Sequence, residues 1–438
     1  MIWTIFLMNV LTVAVAFKKR MILYSLLNAI FLFLITGEAF QMQEDLERSH
    51  TVVYLLHFIN DAGFSLSLRY VFGISFVTMA LALVSKGYKR HSRPEPTQSF
   101  LPDSRFYILL FFLLSMLSLI LIFGVVGVSG FLHSSRPGFQ SGSTIFLVLL
   151  SPGLMPLLCK VHYKNRIGLG DIACFLVSFV VTGMMGRTGA IFYLVVLLLA
   201  IYYARGWADA RITPRLIVSI LLFGFAAAST FLAYSAIRGA QAFVADASFS
   251  DIMGYIRDHP EKSALSLEYL YRTDVEGMSG IAGEFTQYLN KPESVHHDYG
   301  ASWILQGMIQ GLPGFLKPHV EAISDASTNL NWYPVSIVAT SAESFFMSFG
   351  WFGILAYPLT LYCISWGFPL KVMQARLGPL QNLLSYELMA WTILFVHGPL
   401  AVWIAFCVFY SVAFILFWPM FKRHIKRVEP KGANGDSG

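Results

Sequence analysis

Apolar runs recur along this chain, separated by short polar or basic connections, and nearly every run has the length of a helix that crosses a membrane. Spans of helix need about 17–25 mostly apolar residues, whereas barrel strands alternate over about ten. Eleven runs fit the helical template, at about 1–17, 21–40, 64–85, 106–128, 143–159, 167–185, 189–204, 216–236, 345–366, 383–396 and 400–419. One interval breaks the rhythm. From Arg238 to Ser344 the chain turns polar, with acids (Asp246, Asp251, Asp274, Glu276, Glu284, Glu321, Asp325, Glu343), bases (Arg238, Arg257, Arg272, Lys291, Lys317) and four histidines (His259, His296, His297, His319). Inside it, Phe249–Arg257 and Leu265–Tyr271 are apolar at helical spacing. Residues 41–63 read as a further outer segment with a short helix lying in the membrane interface.

The pattern predicts an all-α polytopic membrane protein of about eleven helices (ten to twelve) with one large extracytoplasmic loop before the last three spans. Its parts are N-terminal membrane helices over 1–236, the polar loop over 237–344, C-terminal helices over 345–420, and a basic tail, 421–438, without fixed structure.

Composition agrees. The chain is 56% hydrophobic and 13% charged, with mean hydropathy +0.62, against about a quarter charged residues in soluble domains. Only helices or a closed barrel satisfy their own backbone in lipid. The four cysteines, Cys159, Cys174, Cys363 and Cys407, fall in or beside apolar runs and lack metal-ligand spacing, so they read as small hydrophobes.

Charge orients the helices. Lys18-Lys19-Arg20, then Lys86, Lys89, Arg90, Arg93 and Arg105, then Lys160, Lys164 and Arg166, then Arg205, Arg211 and Arg215, then Lys371 and Arg376, and finally the tail hold most of the 31 Lys and Arg residues. They fall on alternate connections, which the positive-inside bias assigns to the cytoplasm. The net charge of +6 thus needs no nucleic acid to explain it. The first run precedes its charges, the reverse of a cleavable signal, and reads as a retained span with its N-terminus outside.

Candidate chemistry gathers on the outer side. Arg187, between Gly186 and Thr188-Gly189, stands where two apolar runs meet. A cation there is costly unless hydrated or paired, and Arg grips phosphate bidentately; the plain alternative is a snorkelling helix-end residue. Arg238 follows the eighth run and is either the second half of a pyrophosphate clamp or an ordinary interfacial Arg. Glu343, at the edge of the ninth run, is either an acid facing those arginines or a helix-start cap. His319 is a candidate base tuned by Glu321. Trp303, Trp332 and Tyr333 beside carboxylates suit sugar faces, with Arg257 and Arg272 as further substrate contacts. His296-His297 point to different sides of any regular element, which argues against a metal.

These features resemble the Wzy-type O-antigen and capsule repeat-unit polymerases. The likeness rests on the many spans, the large outer loop, Gly186-Arg187-Thr188, and Pro334-Val-Ser336 followed by Ser341-Ala-Glu343-Ser344-Phe and Phe349-Gly350-Trp-Phe-Gly353. The resemblance implies a glycosyltransferase in a bacterial inner membrane that joins undecaprenyl-pyrophosphate-linked oligosaccharides without cofactor or metal. A flippase and a chain-length regulator of the same pathway would be its partners. In that scheme Arg187 and Arg238 hold the pyrophosphate, and Glu343 or His319 takes the acceptor proton. An O-antigen ligase and a lipid-linked oligosaccharide flippase are the competing readings.

Overall fold

The computed structural model describes residues 1–54, 57–87, 98–100, 154–163, 165–176, 195–202, 249–259, 277–292, 341–374 and 379–397, with further short or isolated helical positions and residues 425–427. In chain order the elements are helices α1 (Ile2–Lys18), α2 (Ile22–Phe31) and α3 (Gly37–Ser49), strands β1 (Thr51–Tyr54) and β2 (His57–Asn60), and helix α4 (Asp61–Val84). Strand β3 (Gln98–Phe100) and helices α5 (Leu154–His162), α6 (Phe249–Asp258) and α7 (Met278–Asn290) follow. Then come α8 (Ser341–Phe349), α9 (Gly353–Tyr362), α10 (Phe368–Gln374), α11 (Pro379–His397) and strand β4 (Ile425–Arg427).

The described residues are mostly helical, and three continuous helices are long and apolar enough to cross a membrane: Ile22–Ser49, Asp61–Val84 and Ser341–Lys371. They coincide with the predicted runs at 21–40, 64–85 and 345–366; α1 and α11 match the runs at 1–17 and 383–396. The runs at 143–159, 167–185, 189–204 and 400–419 are described only in part, that at 106–128 only at isolated positions, and that at 216–236 lies outside the described residues.

The chain divides into two units, one of Met1–Lys89, Phe231–Lys371 and Trp391–Phe409, the other of Arg90–Thr230, Val372–Ala390 and Tyr410–Gly438. In the first, α1, α2 and α4 pack side by side. Apolar stripes remain exposed, Trp3, Leu7 and Leu11 on α1 and Phe72 and Phe76 on α4. Exposed stripes of this kind suit lipid. Polar side chains pin the helices from within: the Asn9 amide donates to Ser75 Oγ at 3.0 Å, and the Tyr24 hydroxyl to the Thr78 carbonyl at 2.9 Å. Such interhelical bonds are a usual adhesive where every helix face is apolar.

Both ends of α4 are closed by side chains. Asn60 is its N-cap, accepting from the Gly63 amide at 2.8 Å. At the other end Lys19 Nζ donates to the carbonyls of Ala82, Leu83 and Ser85 at 2.9, 2.6 and 2.8 Å. A cation on those last carbonyls also complements the helix dipole.

Residues 41–63 differ from the expectation of a separate interfacial helix. The helix of the second run continues unbroken to Ser49, helped by Gln43–Glu47 and Glu44–Arg48 contacts one turn apart. It stops at His50, whose φ of 58° is left-handed. The β-branched Thr51-Val52-Val53 then favours extended chain, and β1 pairs antiparallel with β2 in the register Thr51 to Asn60 through Tyr54 to His57. Ile59 and Tyr54 turn inward, while Val53 and Phe58 face out.

In the second unit, Lys160 and Asp171 form a buried ion pair at 2.5 Å, and Asp171 also accepts from the Gly168 amide at 2.8 Å. His162 Nδ1 lies 3.0 Å from the Tyr386 hydroxyl. Burial pushes the Tyr163 hydroxyl well above the usual phenol range. The tail, read from sequence as unstructured, contributes β4, which pairs antiparallel with β3.

Candidate functional site

The polar stretch of the sequence sends one helix, α7, deep into the first unit. Every residue from Met278 to Thr286 is buried. Close approach explains how it fits. A Cβ on Gly63 of α4 would come within 2.7 Å of the Thr286 amide nitrogen and 2.8 Å of Thr286 Cα. The Asn60 amide donates to Thr286 Oγ1 at 3.3 Å. At the other end of α7, a Cβ on Gly277 would collide with the Leu34 carbonyl.

That N-terminal end meets Glu38. The Glu38 side chain is fully buried, and its Oε2 accepts from the Ser279 amide at 3.1 Å. The amides of Gly277 and Met278 and the Ser279 hydroxyl face the same carboxyl group. Glu38 Oε1 has no hydrogen-bond partner among the described residues. The first turn of any helix leaves amides unsatisfied, and here an acid 241 residues away in sequence accepts from them. A π-helical turn, Leu32–Thr36, immediately precedes α3. Its wider turn shifts the face that later residues present, by up to about 100° for one inserted residue, and so sets the direction of Glu38.

Glu343 lies in the first turn of α8 and is buried, as are Ser341 and Ser344 beside it. Aromatic packing fixes this helix against α7 and α4. Phe346 stacks on Phe285 with ring centroids 4.0 Å apart, and Tyr70 meets both rings edge-on or tilted at 5.4 and 5.6 Å. The Tyr70 hydroxyl donates to the Ala342 carbonyl at 3.3 Å. Phe345 packs on Tyr357 and Phe395. Among the described residues, the unit thus buries three carboxyl groups, Glu38, Glu284 and Glu343, on three elements that all contact α7 or belong to it. Buried acids are expensive and among intramembrane residues tend to mark a working site.

Of the residues singled out from sequence, Glu343 is therefore buried within this helical cluster. Arg257 is not: it sits exposed near the end of α6, its Nε 3.0 Å from Asp258. Arg187, Arg238, Arg272, Trp303, His319, Trp332 and Tyr333 lie outside the described residues. No group of three or more His, Cys, Asp or Glu able to hold a metal occurs among the described residues. Sequence reasoning overlooked Glu38. The signal was available, an acid in the apolar run Leu32-Phe-Leu-Ile-Thr-Gly-Glu38-Ala-Phe40. Comparison with protein-family models, with curated proteins and with solved structures gave no match.

Proposed function

We propose that this protein is a lipid-donor glycosyltransferase of the Wzy type. It would polymerise undecaprenyl-pyrophosphate-linked repeat units at the outer face of a bacterial inner membrane. The observation that supports the reading best is the burial of Glu343 on a helix packed against α7, the part of the polar stretch embedded among the apolar helices. An acid held there stands where a polar loop meets candidate membrane helices, the place such chemistry requires. The contacts also respect the sidedness inferred from charge. Lys19 meets Ser85, both assigned to the cytoplasmic side, and Asn60 meets Thr286, both assigned to the outer side.

On this reading Arg187 and Arg238 hold the departing pyrophosphate and stabilise its charge. Glu343 or His319 receives the proton of the acceptor hydroxyl. Trp303, Trp332 and Tyr333, with Arg257 and Arg272, line the sugar path, and much of the rate comes from holding two lipid-linked chains together. A flippase and a chain-length regulator act beside it.

A second reading has its own supporting observation. Glu38 is a buried acid inside a candidate span, as transporters of lipid-linked oligosaccharide would have.

The deciding experiment is the polysaccharide ladder of a strain lacking the gene, complemented with wild type, Glu343→Ala, or the Arg187→Ala, Arg238→Ala pair. A polymerase predicts collapse to core plus a single repeat, restored by wild type alone. Bare core with accumulated lipid-linked polymer identifies a ligase instead. Loss of all outer repeats, with lipid-linked units trapped inside, identifies a flippase.

A further inference from the structure

The geometry points to Glu38 as a positioning residue, the N-terminal cap, supplied from another helix, that holds α7 among the apolar helices and thereby sets the place of Glu343. Four observations converge. Glu38 Oε2 accepts from the Ser279 amide at 3.1 Å, with the Gly277 and Met278 amides turned to the same group. Gly277 has no Cβ where one would strike the Leu34 carbonyl and come within 3.0 Å of Glu38 Oε2, so the backbone can approach only with glycine there. The π-turn Leu32–Thr36 directly precedes the helix that carries Glu38. Finally, α7 is the element on which the Glu343 helix stacks, through Phe285 and Phe346 at 4.0 Å.

Without the cap, the first amides of α7 would be left unsatisfied among apolar side chains, with Ile281, Ala282 and Phe285 fully buried beyond them. Unpaired buried donors are costly, and movement of α7 outward relieves that cost. Such movement carries the Phe285–Phe346 stack, and with it the first turn of α8. The acceptor oxygen is what matters in this arrangement, so an uncharged side chain of the same shape keeps it.

The inference about Glu343 rests on the glycosyltransferase reading; the docking of α7 does not. Two readouts separate them. In a background with Cys159, Cys174, Cys363 and Cys407 replaced by alanine, Ala282→Cys is probed in intact membranes with a water-soluble maleimide, and the polymer ladder is scored in parallel. With Glu38 in place the reporter is protected. Glu38→Ala is expected to expose it and to lower polymer output by about tenfold or more, the scale of a lost buried hydrogen bond. Glu38→Gln keeps an acceptor and is expected to retain protection and output within about twofold. Gly277→Ala, which crowds the contact from the other side, should expose the reporter as Glu38→Ala does.

A protected reporter and full ladder in Glu38→Ala would overturn the proposal. So would Glu38→Gln failing as completely as Glu38→Ala, because the group would then act through its charge or its proton. If the ladder does not depend on the gene at all, the glycosyltransferase reading fails, and the maleimide arm alone still decides whether Glu38 holds α7.

Discussion

At the residue scale, buried polar groups divide by what satisfies them. Lys160 and Asp171 answer each other at 2.5 Å, with the Gly168 amide on the same carboxylate. Asp171 is an acid inside the apolar run at 167–185, and its pairing with Lys160 explains it as structure. Removing one partner of a buried pair strands the other, which costs about 3–5 kcal/mol. Lys160→Ala is therefore expected to lower the melting temperature of the detergent-solubilised protein sharply. Lys160→Met combined with Asp171→Leu should recover most of the loss, because no charge is then left buried. A double variant as unstable as the single one would refute this account. Glu343 was legible from sequence as an acid at a helix start, although its burial was not. Glu38 is legible as an acid inside an apolar run, but its partner is not: the Ser279 amide is a backbone group far along the chain, and no local pattern marks such a pairing.

Among the elements, the apolar runs were the most readable. α1, α4 and α11 begin and end within a few residues of where hydrophobic length alone puts them. The departures have physical causes. The second helix outruns its apolar segment because pairs such as Glu44–Arg48 sustain it in a polar setting. The strands β1 and β2 leave no mark in the pattern, because four-residue strands carry little periodic signal. α7 reads as part of the polar loop because Ser279, Glu284, Thr286 and Gln287 dilute its hydrophobicity; its burial depends on Gly63 and Gly277, which let backbones touch. Gly63→Ala tests that seat. Its Cβ would press on the backbone of Thr286, which has no rotamer by which to yield, and overpacking of this kind costs about 1–3 kcal/mol. Gly254→Ala in α6 is the control, with nothing within 4 Å of the new methyl and a gain of up to about 1 kcal/mol from helix propensity. Thermal melting should fall for the first and hold or rise for the second. Equal melting points would remove the argument from close approach.

For the whole molecule, sidedness was read from charge, and segments placed on one side by that criterion touch each other: the tail strand β4 pairs with β3, both in basic connections. What could not be read was which distant segments fill the gaps between the first helices, because that depends on surface shape and not on periodicity. The bond between Glu38 and Ser279 has a consequence for how the chain is made. Translation proceeds at about 5–20 residues per second, and 241 residues separate the two partners. The helix bearing Glu38 is thus synthesised roughly 10–50 s before its cap partner exists. A nascent chain must spend that interval with an acid facing unfinished surroundings, sheltered by the insertion machinery or left near the aqueous interface. Ribosome-bound chains ending at residue 260 should then expose an Ala39→Cys reporter to maleimide, and chains ending at residue 330 should not. Protection already complete at residue 260 would mean that the N-terminal helices bury Glu38 unaided, and that α7 arrives at a site formed without it.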